Sequence, residues 1–243
     1  VVTVNALPVV TSSPATPTIC ISGNVVITAS GATTYTWAPA TALSATTGAT
    51  VTASPTTTTT YTISGTGSNG CVGTLTVTVS VVTTPTITVT PPTPSYCPGG
   101  STLLTAGGAN TYAWAPSTGL SATTGTTVTA SPTVTTTYNV TGTASGCTNT
   151  TAVTVTVFPA PAVPTITQLS NVLTCNPAFA SYQWYLNSVL IPLATNQSYT
   201  VSVSGNYSVM VTDANGCTST SVMFPAIFTG VDELSLTHFN LFP

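Results

Sequence analysis

Ten side chains in this 243-residue chain could carry redox, metal or proton-transfer chemistry near neutral pH: six cysteines, one histidine and three acids. The cysteines fall into three well-separated pairs, Cys20/Cys71, Cys97/Cys147 and Cys175/Cys217. An even number with such spacing reads as disulfides made in an oxidising compartment. No Cys-x-x-Cys spacing occurs, so a zinc site is not expected. His238 lies in the tail segment LSLTHFNLF, where an exposed or strand-edge histidine is the expectation. Asp232 and Glu233 are adjacent, so a strand would point them to opposite faces and make them a poor acid pair. Asp213-Ala-Asn-Gly216 has a trace of calcium-loop character, but calcium takes about six to eight oxygens, and a hairpin turn tipped by Asn-Gly is expected instead. The many Thr and Ser hydroxyls have no base beside them to activate them. The chain is therefore expected not to be an enzyme, and to use no metal and no cofactor.

The elements that would position the cysteines are written as repeats. The stretch GATTYTWAPATALSATTGATVTASPTTTTTYTISGTGSNGC at 31–71 returns at 108–147 as GANTYAWAPSTGLSATTGTTVTASPTVTTTYNVTGTASGC. Cys20 to Cys97, Trp37 to Trp114 and Tyr61 to Tyr138 are each 77 residues apart, and one deletion before the second cysteine makes Cys71 to Cys147 76. A diverged third copy follows, in which Asn171 to Trp184 repeats the 13-residue spacing of Asn24 to Trp37. These spacings imply domains at 11–82, 85–158 and 162–227, flanked by a terminal strand at 1–10 and a segment at 228–243.

About a quarter of the residues are Thr, punctuated by 19 Pro and 18 Gly, with no sustained helical period. β-Branched side chains suit a pleated surface, so an all-β chain is expected: three sandwiches in an extended rod, each with one disulfide. In the first copy strands are expected at 16–20, 24–30, 33–38, 49–53, 58–65 and 71–82. If successive strands simply alternate in direction, Cys20 and Cys71 fall at the same pole. A bridge there would close a loop worth about 4 kcal/mol. Cys175 aligns with Thr28, inside the second strand, and its bridge to Cys217 is expected nearer the sheet interior.

Each copy carries Tyr-x-Trp: Tyr35/Trp37, Tyr112/Trp114 and Tyr182/Trp184. Residues two apart on a strand share a face, and these are expected to fill the sandwich cores. A carbohydrate-stacking platform is the alternative use of the same residues. Runs such as TLTVTVS place hydroxyls on one face, which raises ice binding as a remote alternative. A 77-residue period and twisted strands argue against a flat lattice match.

No Lys or Arg is present, and residues 1–212 contain no charged side chain. Nucleic-acid binding is thereby excluded, since nothing could neutralise phosphate. Attraction to an anionic membrane surface has no support, and no run of eighteen apolar residues offers a membrane span. Strand edges are usually guarded by charge or proline, so an uncharged array is expected to associate with itself. Val1, Val2, Thr3, Val4, Asn5, Ala6 and Leu7 align with the last strands of the first two copies. They are expected to belong to a preceding domain or to act as a donor strand in a neighbouring subunit. Leu234–Phe242 is the other candidate donor or acceptor. Head-to-tail joining of that kind would give an open filament. The first residues lack the basic start of a signal peptide, which implies a removed leader or a start within a longer chain.

The block YTWAPATALSATTGATVTASPTTTTTYTISG…GC resembles the immunoglobulin-like and PKD-like repeats of large secreted proteins of the Bacteroidota. The tail GVDELSLTHFNLFP resembles the opening of a type IX secretion C-terminal sorting domain. The resemblance implies export to the outer surface or medium and a role in adhesion, gliding or extracellular scaffolding. The expected function is an extracellular structural protein, a filament subunit or adhesin stalk. Its expected partners are other copies of itself, with surface glycans or other cells besides.

Overall fold

The computed structural model describes residues 4–229; His238, Asp232, Glu233, Leu234–Phe242 and the first three residues of the candidate donor strand lie outside them. Every regular element among the described residues is a strand. Two compact units emerge: Val1–Pro92 with Leu103–Ala130 and Thr137–Thr154, and Thr93–Thr102 with Ser131–Thr136 and Val155–Pro243. The second repeat contributes to both.

The first repeat holds β1 (Thr11–Ser13), β2 (Thr18–Cys20), β3 (Val25–Ser30), β4 (Thr34–Ala38), β5 (Thr50–Ala53), β6 (Thr59–Thr66) and β7 (Val72–Val82). They form two sheets, β1-β3-β5 and β2-β7-β6-β4. Alternation decides which face is buried: in β6, Tyr61, Ile63 and Gly65 point inward while Thr60, Thr62 and Ser64 do not. The core is Ile27, Val51, Tyr61, Ile63, Val77 and Val79 with Trp37 among them.

On the outer faces hydroxyls pair across strands, Thr60 with Thr78 at 2.8 Å and Thr28 with Thr50 at 3.3 Å. The second repeat does the same with Thr137 and Thr154 at 2.8 Å. Cross-strand Thr pairs of this kind stabilise a sheet by roughly 0.2–1 kcal/mol each. They occupy the place that ion pairs fill on most sheets.

The chain leaves β1 through the cis Ser13–Pro14 bond and crosses to the other sheet. There β2 runs parallel to β7, with Cys20 opposite Val82. The strand expected at 16–20 corresponds to β2, and β1 at Thr11–Ser13 precedes it as a separate strand that was not expected. Between β4 and β5 the chain recrosses the sandwich without forming a strand. This crossing segment, 39–49, is held on both sides by backbone bonds. Trp37 N donates to Thr46 O and Gly48 N to Tyr35 O, along the free edge of β4; Ser44 N donates to Thr52 O, along the free edge of β5. The indole Nε1 of Trp37 donates to Gly48 O at 2.9 Å, and Tyr61 OH donates to Thr41 O at 3.0 Å. One side of the sandwich is thus closed without charge or proline, so the expectation of unguarded edges does not hold there.

The second repeat repeats this plan with β8 (Thr88–Thr90), β9 (Ser95–Tyr96), β10 (Thr102–Gly107), β11 (Thr111–Ala115), β12 (Thr127–Ala130), β13 (Thr136–Ala144) and β14 (Cys147–Val157). Its sheets are β12-β10-β8 and β11-β13-β14-β9, with β9 parallel to β14. Trp114 Nε1 donates to Gly125 O, and Tyr138 OH to Thr118 O.

The third repeat has β15 (Thr165–Leu169), β16 (Val172–Asn176), β17 (Ser181–Leu186), β18 (Val189–Leu190), β19 (Ser198–Thr200), β20 (Gly205–Thr212), β21 (Thr218–Thr220) and β22 (Phe224–Ala226). Its sheets are β15-β16-β19 and β18-β17-β20-β21, with β22 also on β20. Nothing in it corresponds to β2 or β9.

Replacing Tyr61 by Phe removes the hydroxyl that fixes the crossing segment and leaves Thr41 O without that bond. The first repeat should lose about 1 kcal/mol of stability with no change of fold, measured by urea unfolding. Burial pushes the phenols of Tyr61 and Tyr96 above their ordinary range. For Tyr207, burial and then the neighbouring Tyr199 raise it, against a lowering bond to Val203 O. In each case the unfolded chain deprotonates first, near pH 10. The stability these neutral phenols provide is complete below that pH and is lost as pH rises further. The melting temperature should therefore fall above about pH 10.

Candidate functional site: the cysteine-bearing poles

The direction of β7 fixes what the cysteines can do. Cys71 immediately precedes β7, while Cys20 lies beside its last residue, Val82. Eleven residue steps, from Cys71 to the level of Val82, separate the two, roughly 36 Å. A disulfide needs Cα atoms within about 7 Å. The Cys20/Cys71 pairing expected from sequence is therefore ruled out. The reason is the crossing segment. β5 runs antiparallel to β3, so β4 and β5 point the same way, and the alternation from which the poles were counted slips by one.

The structure instead joins Cys20 to Cys147, Cα to Cα 5.6 Å, and Cys97 to Cys217, 5.3 Å. Neither Cys97/Cys147 nor Cys175/Cys217 forms, and no repeat carries a bridge of its own. Each bond ties the pole where one repeat's last strand ends to the start of a late strand in the next repeat, β14 for Cys147 and β21 for Cys217. Cys71 and Cys175 remain as thiols.

Cys175 is a separate case. Its N–H donates to Gln197 O as Ala29 N donates to Ala49 O, so Cys175 takes the place of Ala29 in the core, one residue from the Thr28 alignment. It is completely buried in the third core beside Trp184, Tyr207 and Val209, and burial raises its thiol pKa. A buried neutral thiol behaves as a small apolar side chain.

The other candidates resolve into structural roles. Asp213 accepts from Asn215 N at 2.8 Å and Cys217 N at 2.9 Å, so it shapes the turn that presents Cys217. No group of three or more His, Cys, Asp or Glu that could hold a metal occurs among the described residues. Trp37 and Trp114 are 3% exposed and Trp184 is fully buried, which leaves no ring face for a sugar. A groove of about 500 Å³ beside β11 is lined by Asn110, Thr111, Ala113, Thr124 and Thr126, with Tyr112 mostly buried. Val4–Leu7 form no strand within this chain and are exposed.

The feature that sequence reading missed is the stagger of the bridges. Gly-Cys follows the same hairpin in all three repeats, at Gly70-Cys71, Gly146-Cys147 and Gly216-Cys217. The partner type, Cys20 and Cys97, occurs in only two. A ladder offset by one repeat accounts for that count directly.

The chain is thus a tandem array of immunoglobulin-like β-sandwiches, linked repeat to repeat by disulfides. No family model matches the sequence, and no curated protein does. Solved structures with a similar fold include an I-band fragment of titin, at a TM-score of 0.45 and 13% identity, covering 93% of this chain and 100% of that one. A second three-domain titin fragment gives 0.37 and 14%, covering 87% and 95%. Immunoglobulin domains 1–5 of Sidekick-1 give 0.35 and 11%, covering 88% of this chain and 58% of that one.

Proposed function

We propose that this chain is an extracellular structural protein, a stalk or filament subunit in which covalently joined sandwiches hold a surface activity away from the cell or build a fibre. The observation that carries this reading is the pair of repeat-to-repeat disulfides. Such bonds form in oxidising compartments. A bond between neighbours lets tension pass from one repeat to the next without running through the folded residues between the two cysteines. The near absence of charge fits the same role, since a chain without Lys or Arg offers trypsin no cleavage site. The described groups take structural parts in this reading: the cysteines are bonded, buried or at a pole, and Asp213 shapes its turn.

In the first two repeats the edges on one side are covered by the crossing segment, which leaves the poles and the opposite side for joining. The tail resemblance supports export through a type IX pathway. Electron microscopy of the protein as its own cells release it tests the reading. Regular fibres indicate a filament subunit, and separate beaded chains indicate a stalk. Recovery of the protein from inside cells with all cysteines reduced would overturn both.

A further inference from the structure

We propose that Cys71 is a covalent attachment site for another immunoglobulin-like repeat, one that carries a cysteine at the position of Cys20 and Cys97. The inference concerns one pole of one repeat and does not depend on whether the whole is a stalk or a fibre.

Two independent comparisons within the chain carry it. The first is the turn itself. Gly67 N donates to Cys71 O as Asp213 N donates to Cys217 O, both at 2.9 Å. Gly70 N donates to Gly67 O as Gly216 N donates to Asp213 O. Cys71 N is capped by Asn69 Oδ1 at 3.0 Å, as Cys217 N is by Asp213 Oδ1. Gly70, Gly146 and Gly216 all have φ between 77° and 82°. The turn that presents Cys217 to the preceding repeat is therefore built again at Cys71, and Cys147 follows a matching glycine.

The second is the path of the chain into the repeat. A Cβ on Gly31 would meet Val9 O at 1.9 Å, and one on Gly108, 77 residues later, would meet Thr86 O at 1.8 Å. A Cβ on Gly73 would meet Pro8 O, and the matching Asn149 donates to Pro85 O at 2.9 Å. Val10 packs on Gly65 as Ile87 packs on Gly142. Pro8–Val10 thus follow the course of 85–87, and the same 77-residue offset carried three residues further back sets Asn5 against Val82 of the linked pair. Val82 is the residue opposite Cys20, and its carbonyl lies 4.0 Å from Cys147 Sγ. A repeat arriving by this route brings its Cys20-type sulfur to Cys71.

This chain has no thiol of its own to complete the bond: Cys20 and Cys97 are already paired, and Cys175 is fully buried. Cys71 is half-buried. The bond forms by oxidation of two thiols. The Cys71 thiolate attacks a disulfide oxidant such as oxidised glutathione, releasing one thiol. The incoming cysteine then attacks the mixed disulfide and releases the second. Two electrons and two protons pass to the oxidant.

The test uses the protein as released by its own cells, alkylated without reduction, digested with pepsin or chymotrypsin, and mapped by mass spectrometry. The expected result is Cys71 in a cross-linked peptide with a cysteine that follows a short strand of an immunoglobulin-like repeat. Denaturing electrophoresis with and without reductant separates the sources: unchanged mass places the partner in the same polypeptide, and a fall in mass places it in another. The 243-residue chain treated with oxidised glutathione should take up one glutathione, at Cys71, and Cys71→Ser should take up none. Alkylated Cys71 in the native protein, a glutathione cap alone, or a bond to Cys175 would each overturn the proposal. Fibres seen with Cys71 alkylated would leave the structural role standing and remove only this site.

Discussion

Cutting the backbone between Thr83 and Thr84, at an inserted protease site, will leave the two pieces joined on a denaturing gel until reductant is added. The cut falls between the first and second repeats, and the Cys20–Cys147 bond spans it. A cut between Pro159 and Ala160 should behave the same way through Cys97–Cys217. The effect is all or none, because one bridge is the sole covalent link once the peptide bond is gone. Cys147→Ser should convert the first cut into immediate separation while leaving the second unaffected. Bridges confined to single repeats would let both cuts release free pieces without reductant.

Replacing Trp37 by Ala should cost the first repeat about 3–5 kcal/mol. That is a large share of the roughly 5–15 kcal/mol that stabilises an ordinary domain. Two losses combine. The indole is 3% exposed in the core, so its removal opens a cavity among Ile27, Val51 and Ile63. Its Nε1 also pins Gly48 O, and with it the segment whose backbone covers the edges of β4 and β5. Released, those edges have no charge to discourage pairing with another chain. The variant should therefore unfold at lower urea and associate at concentrations where the parent stays dispersed, as light scattering would detect. If Trp37 were instead a sugar platform, the substitution would leave stability unchanged.

How much of this was legible in the sequence differs from element to element. Strand identity was clear wherever Thr alternates with an apolar residue, because alternation needs only one buried face: β6 and β7 follow it closely. The 77-residue spacing located Tyr35, Trp37, Tyr61 and their counterparts. Direction was not legible. Segment 39–49 is rich in Ala and Thr and has no alternation, so nothing in it reveals that it spans the sandwich from pole to pole. That one unseen crossing reversed the assignment of Cys71 to a pole. The third repeat hid its register differently: Ala29 to Cys175 is 146 residues and Trp37 to Trp184 is 147. One added residue between β16 and β17 moved Cys175 from an apparent outward position into the core. The candidate site was thus legible in its residues and illegible in its pairing, which depends on strand direction more than on spacing.

The most direct test of the central claim is to pull the oxidised protein by handles at Ser44 and Ser121, the matching midpoints of the first two repeats. Along the backbone these are 77 residue steps apart. Through the bridge the shortest covalent route is 24 steps back from Ser44 to Cys20 and 26 from Cys147 back to Ser121. At about 3.5 Å per step the extension should stop near roughly 18 nm, and lengthen to roughly 27 nm once reductant is added. Extension to the longer limit without reductant would contradict a bond between the repeats, and with it the account of how this chain is held together.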